Sequence, residues 1–244
     1  MDTLHGRNGI KKLGTILSVW AHPDDETFSC AGIMAQAIKN NQKVVCITAT
    51  KGEKGTQDTS KWPAETLAAV RTQELKEALR IIGVKEHHWL DYHDGACQYQ
   101  DDDSAAGKIA TYIQKYNPDT VLTFGPEGLT GHPDHQSVSR WVSRAIELSD
   151  SNPALYHAVV AQEQYDRYLK KADEALGIFY NIKTPPIRPL SACDLSFLCD
   201  AAEMCTLKRS AIAAMPSQTE AMFTIFGEEF VESAFMTEAF IRGT

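Results

Sequence analysis

The sequence predicts an α/β protein built on a mostly parallel sheet with helices on both faces. Short apolar runs rich in β-branched residues recur over roughly the first 150 residues, and each is followed by a segment with apolar residues at helical spacing. Glycine, proline or asparagine punctuates the joints between them. Strand then helix, repeated at this interval, is the pattern of βαβ units with right-handed crossovers.

Thr15–Ala21 reads as a first buried strand. Glu26–Asn40 spaces Phe28, Ile33, Met34, Ala37 and Ile38 as one helical face, with Asp24 or Asp25 as its cap and Asn40-Asn41 as its stop. Lys43–Thr50 is a second strand, and Lys51–Pro63 a polar loop. A helix over Ala64–Ile82, periodic through Leu67, Val70, Leu75, Ala78 and Leu79, stops at Gly83. A short strand at His87–Tyr92 runs into the turn His93-Asp94-Gly95. The acidic run Asp101-Asp102-Asp103 leads into a helix at about 105–116, because carboxylates favour a helix start. Thr120–Phe124 is a fourth strand and His135–Leu148 a further helix.

Beyond Pro153 the pattern loosens. Strands are expected at Leu155–Ala161 and Phe179–Lys183, an extended linker at Pro185–Pro189, a helix over Asp194–Ala214 and mixed structure at Glu228–Ile241. The whole reads as one Rossmann-like domain over residues 1–244. Residues 1–14 form a loose polar arm, and the half from about 154 onward shapes or covers a site.

Composition narrows the function. A net charge of −8 without a concentrated basic face argues against nucleic acid as a partner. No apolar leader or long apolar span is seen, so no membrane span is expected and a cytoplasmic location is the simplest reading. The six cysteines include no C-x-x-C pair. Cys193, Cys199 and Cys205 are six apart, which on one helix turns each by about 240° from the last, so buried reduced thiols are expected rather than a zinc ribbon.

Two stretches carry the chemistry. His22-Pro23-Asp24-Asp25-Glu26 follows the first strand, and Gly131-His132-Pro133-Asp134-His135 follows the fourth. In open parallel sheets ligands sit beyond the carboxyl ends of the strands, and both motifs fall there. A catalytic zinc takes three nitrogen or oxygen ligands and keeps a position for water, and His22, Asp25 and His135 can form such a set. Asp24 is then the neighbouring carboxylate available to take the water's proton. If His132 and His135 both sit on an opening helical turn they face the same way, so one can bind metal while the other donates to a developing oxyanion. Asp134 can orient an imidazole from behind. Each residue also has a plain structural reading: an Asp pair before a helix often only caps it. Two such clusters at two strand ends weigh against coincidence. His87-His88, His5 and His157 lack carboxylates at ligand spacing and read as structural.

These residues closely resemble the LmbE-like/PIG-L family of metal-dependent N-deacetylases, over about Thr15–Leu148 and more faintly at Lys208 and Ser217-Gln218. The resemblance implies zinc on His22, Asp25 and His135; ferrous iron can replace zinc at such a nitrogen and oxygen site. It implies Asp24 as general base and His132 as acid or oxyanion partner, supported by Asp134. It further implies that Glu53, Arg71 and Asp94 contact substrate. Arg71 as an ion-pair partner of Glu74 and Asp94 as a turn former stand beside that reading. One departure is Met215, where many members carry a histidine before the Ser-Gln pair.

The expected function is therefore zinc-dependent removal of an N-acetyl or short N-acyl group from an amino-sugar conjugate or related small molecule. The water is deprotonated by Asp24, and the oxyanion is held by zinc and a protonated His132. An amidase acting on a larger conjugate is the alternative. A nucleotide-binding module without hydrolysis is remote, since no G-x-G-x-x-G follows the first strand. The partner is a small N-acylated molecule, and by resemblance a homo-oligomer is one option.

Overall fold

The computed structural model describes residues 3–56, 58–179 and 182–243. In chain order the elements are β1 (Leu4–His5), α1 (Gly6–Lys11), β2 (Ile16–Trp20), α2 (Asp25–Lys39), β3 (Val44–Thr50), α3 (Ala64–Ile82), β4 (Glu86–Tyr92), α4 (Asp102–Tyr116), β5 (Thr120–Phe124) and α5 (Pro133–Leu148). There follow β6 (Ala154–Ala161), α6 (Gln162–Gln164), α7 (Lys170–Leu176), β7 (Ile187–Arg188), β8 (Leu195–Leu198), α8 (Ala202–Ala213), α9 (Pro216–Phe226), α10 (Glu228–Ala234) and β9 (Thr237–Arg242).

The strands form one sheet in the order β1-β8-β9-β6-β5-β2-β3-β4, with β7 added to β6. From β6 through β4 every neighbouring pair is parallel, as expected, while β9 runs antiparallel to both β6 and β8. Every residue of β2, β3 and β5 is buried, which is why these strands read as unbroken apolar runs rather than alternating ones. The strand order reverses between β2 and β5, the first and fourth strands of the βαβ series. Two adjacent loops therefore diverge there and leave a crevice.

Three expectations are corrected. The arm expected at 1–14 holds, within its described residues, β1, paired to β8, and α1, with Ile10 and Leu13 in the core. Its polar composition concealed a few residues that dock it. The helix expected over Asp194–Ala214 divides into β8 and α8, because Leu195 and Phe197 fill the sheet while helical packing begins only at Ala202. Cys199 and Cys205 therefore share no helix, and all six thiols are free. The strand expected over Phe179–Lys183 includes positions 180 and 181, outside the described residues; β7 lies instead in the expected linker. No helix among the described residues is long and apolar enough to cross a membrane.

One buried ion pair ties the C-terminal half to the first motif. The Lys208 ammonium, on α8, donates to Glu238 of β9 and to the Phe28 carbonyl at 3.0 Å, with both charged side chains fully buried. Glu238 also accepts from the backbone of Gly32 and Ile33 at 2.7 and 2.8 Å. Helix α2 breaks at Cys30 (φ −150°, ψ 18°), and the carboxylate receives the amides freed by that break. Lys208→Met strands a buried carboxylate, so unfolding in urea is expected to report a loss of about 3 kcal/mol. An unchanged midpoint would show that the pair stabilises nothing.

Candidate active site

Strand β2 ends in a turn that the backbone does not favour. Asp24 has φ 137° and ψ −33°, a conformation that costs a non-glycine residue about 1–3 kcal/mol unless its surroundings impose it. The surroundings are visible. Arg71 Nη2 donates to the Pro23 carbonyl at 2.6 Å and to Asp24 Oδ2 at 3.1 Å, and Nη1 to the Gly52 carbonyl at 2.9 Å. Gly52 has φ +64° and lies so close to the guanidinium that a Cβ would collide with it. The Asp25 carboxylate accepts from the His22 amide at 2.7 Å. Asp24 and Asp25 thus open α2 as the sequence suggested, although the Asp24 side chain caps nothing.

Strand β5 ends in the glycine-punctuated loop 125–131, and His132 caps α5 with Pro133 in its first turn. The two imidazoles meet across the crevice: His22 Nδ1 lies 3.1 Å from His135 Nε2. Asp25 closes the group, Oδ1 lying 3.4 Å from His135 Nε2 and Oδ2 3.7 Å from His22 Nδ1.

Each ring is held at its other nitrogen by oxygen. His135 Nδ1 faces the Gly128 carbonyl at 3.0 Å and Thr130 Oγ1 at 3.2 Å. His22 Nε2 faces Asp94 Oδ1 at 3.1 Å and Asp134 Oδ2 at 3.3 Å. An imidazole whose outer nitrogen donates to oxygen turns the lone pair of its inner nitrogen into the site. Two ring nitrogens and a carboxylate at this separation can share a proton or a metal ion. Ligand atoms about 2.0–2.1 Å from one tetrahedral ion are about 3.3 Å apart, so the group fits a divalent metal. His132 and His135 also converge with His22 as a second set, and Asp94 with Asp134 as a third. In that third set the carboxylates face the outer nitrogen of His22, and Asp134 is occupied with the amides of Gly95 and Cys97 at 2.7 and 3.1 Å.

The carboxylates that would favour a cation also hold a proton on His22, which a metal would have to displace. Burial alone would lower His22, but its hydrogen bonds with Asp134 and Asp94 and the charge of Asp25 outweigh that and raise it to about 10. Burial drives His135 well below its usual value, and the neighbouring His22 adds to the shift. Burial lifts the Asp24 carboxyl to about 7 against the pull of Arg71, with the nearby Asp25 charge adding to the rise.

Seven of the nine residues singled out by sequence line one cleft of about 430 Å³: His22, Asp24, Asp25, Arg71, Asp94, His132 and His135. Asp134 lies behind it, fully buried. Glu53 stands apart. Its carboxylate accepts from the Asp94 amide at 3.0 Å and faces His93 Nδ1 at 3.2 Å, so it buttresses the turn rather than the cleft wall. Arg71 lines the cleft but spends its terminal nitrogens on the β2 turn. It does not pair with Glu74, which accepts instead from the Ser217 amide and hydroxyl. Met215 is a core residue, 1% exposed. Gly128, Thr130 and Lys54 escaped the sequence reading; only the Gly128 and Gly131 punctuation hinted at a shaped loop there.

Comparison with known proteins gives the same direction. The family described as PIG-L, GlcNAc-PI de-N-acetylase, matches residues 17–146. A probable N-acetyl-α-D-glucosaminyl L-malate deacetylase 2 of Bacillus cereus is 30% identical over 210 residues, covering 85% of this chain and 84% of that protein. A 1D-myo-inositol 2-acetamido-2-deoxy-α-D-glucopyranoside deacetylase of Kineococcus radiotolerans is 31% identical over 162 residues, 55% of this chain, and the match spans only 45% of that protein. Among solved structures, the N,N'-diacetylchitobiose deacetylase of Pyrococcus horikoshii superposes with a TM-score of 0.65 at 22% identity, over 96% of this chain and 85% of that one. At that identity the likeness speaks for the fold alone.

Proposed function

Because the chain belongs to the PIG-L family of de-N-acetylases, we propose that it is a metal-dependent hydrolase removing an N-acetyl or short N-acyl group from an amino-sugar conjugate. The observation that carries the reading is the convergence of His22 Nδ1, His135 Nε2 and the Asp25 carboxylate beside a second, separately held carboxylate, Asp24. Those three side chains would hold the ion, and zinc suits two neutral imidazoles and one carboxylate. When bound, the ion supplies Lewis-acid polarisation of the amide carbonyl and a nucleophile at neutral pH.

The remaining work falls to the chain's own groups. Asp24 takes the proton of the attacking water, a task suited to a carboxylate raised towards neutrality. It then delivers a proton to the departing amine. Arg71 keeps that carboxylate aimed by fixing the turn beneath it. His132 is a neutral donor rather than the protonated group expected from sequence. Its Nδ1 accepts from the Asp134 amide at 3.1 Å, so the ring carries its proton on Nε2, and a second proton would break the helix cap. Burial, with the charge of His22, also lowers its basicity. A neutral donor that stabilises an oxyanion contributes about 10²–10³ in kcat. His132→Ala is expected to lose that much kcat while keeping its metal; equal loss of metal and activity would make it a ligand instead.

The whole reading is tested by acetate release from N-acetylated amino sugars, their conjugates and non-sugar acetamides, using metal-quantified protein. Turnover restricted to the amino-sugar compounds supports it. Cleavage of non-sugar amides alone would move the assignment to a general amidase.

A further inference from the structure

The reaction centre stands between two chambers of opposite character. On one side is the polar cleft, walled by Asp24, Lys54, Arg71, Asp94 and His132. On the other is a cavity of about 210 Å³ whose walls include Phe28, Leu129, Val160, Leu169, Met222 and Phe235. The chambers adjoin, since Asp25, Phe28, Thr130, His135 and Gln218 line both. Asp25 and His135 belong to the proposed ligand set, so the second cavity abuts the proposed reaction centre.

Three of the longer polar side chains of that second cavity are already committed. Glu238 is bound by Lys208 and by the amides of Gly32 and Ile33. The Gln164 amide nitrogen donates to the Ala234 carbonyl at 2.7 Å, and that of Gln218 to the Gly55 carbonyl at 2.8 Å. A space walled mainly by such apolar side chains rewards an apolar occupant.

An amide has two sides. Its amine side, a polyhydroxylated sugar, matches the cleft of carboxylates and cations. We propose that the apolar chamber is the acyl subsite, and that the preferred substrates are amino sugars bearing an aliphatic N-acyl chain longer than acetyl. This rests on the hydrolase reading, since both use one reaction centre. The step remains a hydrolysis. The amide C–N bond breaks, water oxygen joins the acyl carbon, the proton goes to the amine, and a short fatty acid leaves through the chamber.

The test compares N-acetyl-, N-butanoyl- and N-hexanoylglucosamine binding to the metal-free protein by calorimetry, with kcat/KM on the metal-loaded protein alongside. Affinity is expected to rise about fourfold per added methylene, the transfer value of a buried CH₂. Val160→Phe fills the chamber and is expected to abolish most of the gain from acetyl to hexanoyl. Met222→Trp does the same from a different wall and serves should the first variant fold poorly. Equal affinity for the acetyl and hexanoyl compounds overturns the proposal. So does a gain produced by an octyl group on the anomeric oxygen of N-acetylglucosamine but not on the amide, since the chamber would then hold the aglycone. Chain-length-dependent binding without turnover of any N-acyl glucosamine would keep the acyl subsite and refute the hydrolase reading.

Discussion

Asp24→Asn is expected to retain a full complement of metal and to lose about 10³-fold or more in kcat. The substitution is chosen for the backbone. Asn tolerates positive φ better than other residues and keeps an oxygen for Arg71, so the turn at φ 137° survives the change. What disappears is the capacity to take a proton. General-base catalysis contributes about 10²–10⁴ in rate, and no other group is as well placed. Glu26, two residues on, is fully buried and bonded to the Thr27 hydroxyl at 2.6 Å, and burial raises it to about 8. Steady-state kinetics on an N-acyl amino sugar, with metal measured by mass spectrometry on the same sample, checks the prediction. Near-normal kcat in the variant would remove Asp24 from the role of base.

Its neighbour should behave oppositely. Asp25→Ala is expected to weaken metal affinity by more than about 10²-fold, beyond what loss of an outer-shell partner costs, and activity should fall with it. Asp25 reaches both site-facing nitrogens, Oδ1 at 3.4 Å from His135 and Oδ2 at 3.7 Å from His22. Asp94 and Asp134 do not take that place, because they face the far side of His22. A competition titration with a chromophoric chelator measures the effect. Because Asp25 also accepts from the His22 amide, Asp25→Asn, which preserves an acceptor there, separates loss of metal from loss of the turn. Two adjacent carboxylates would then have separate tasks, set by the strained turn that points them apart.

Much of this was legible in the sequence, for physical reasons. Strands such as Val44–Thr50 and Thr120–Phe124 are buried on both faces, so their apolar runs are continuous and easily read. The two motifs stand out because each concentrates histidine and aspartate where an apolar run stops. What sequence concealed is whatever depends on distant partners. β8 contributes only four residues and is fixed by pairing with β1 and β9, which no local pattern records. Glu53 lies next to residues of the cleft loop, yet its carboxylate turns towards the amide of Asp94, 41 positions away. The neutral form proposed for His132 rests on a helix-cap hydrogen bond that the letters His-Pro-Asp do not reveal.

Acetate release from an N-acetylated amino sugar by protein stripped with chelator and then titrated with zinc tests the central claim most directly. The stripped protein should be inactive, and activity should return linearly and reach its plateau at one ion per chain. Turnover that survives complete removal of the metal, or a plateau that His22→Ala leaves unmoved, would contradict the account.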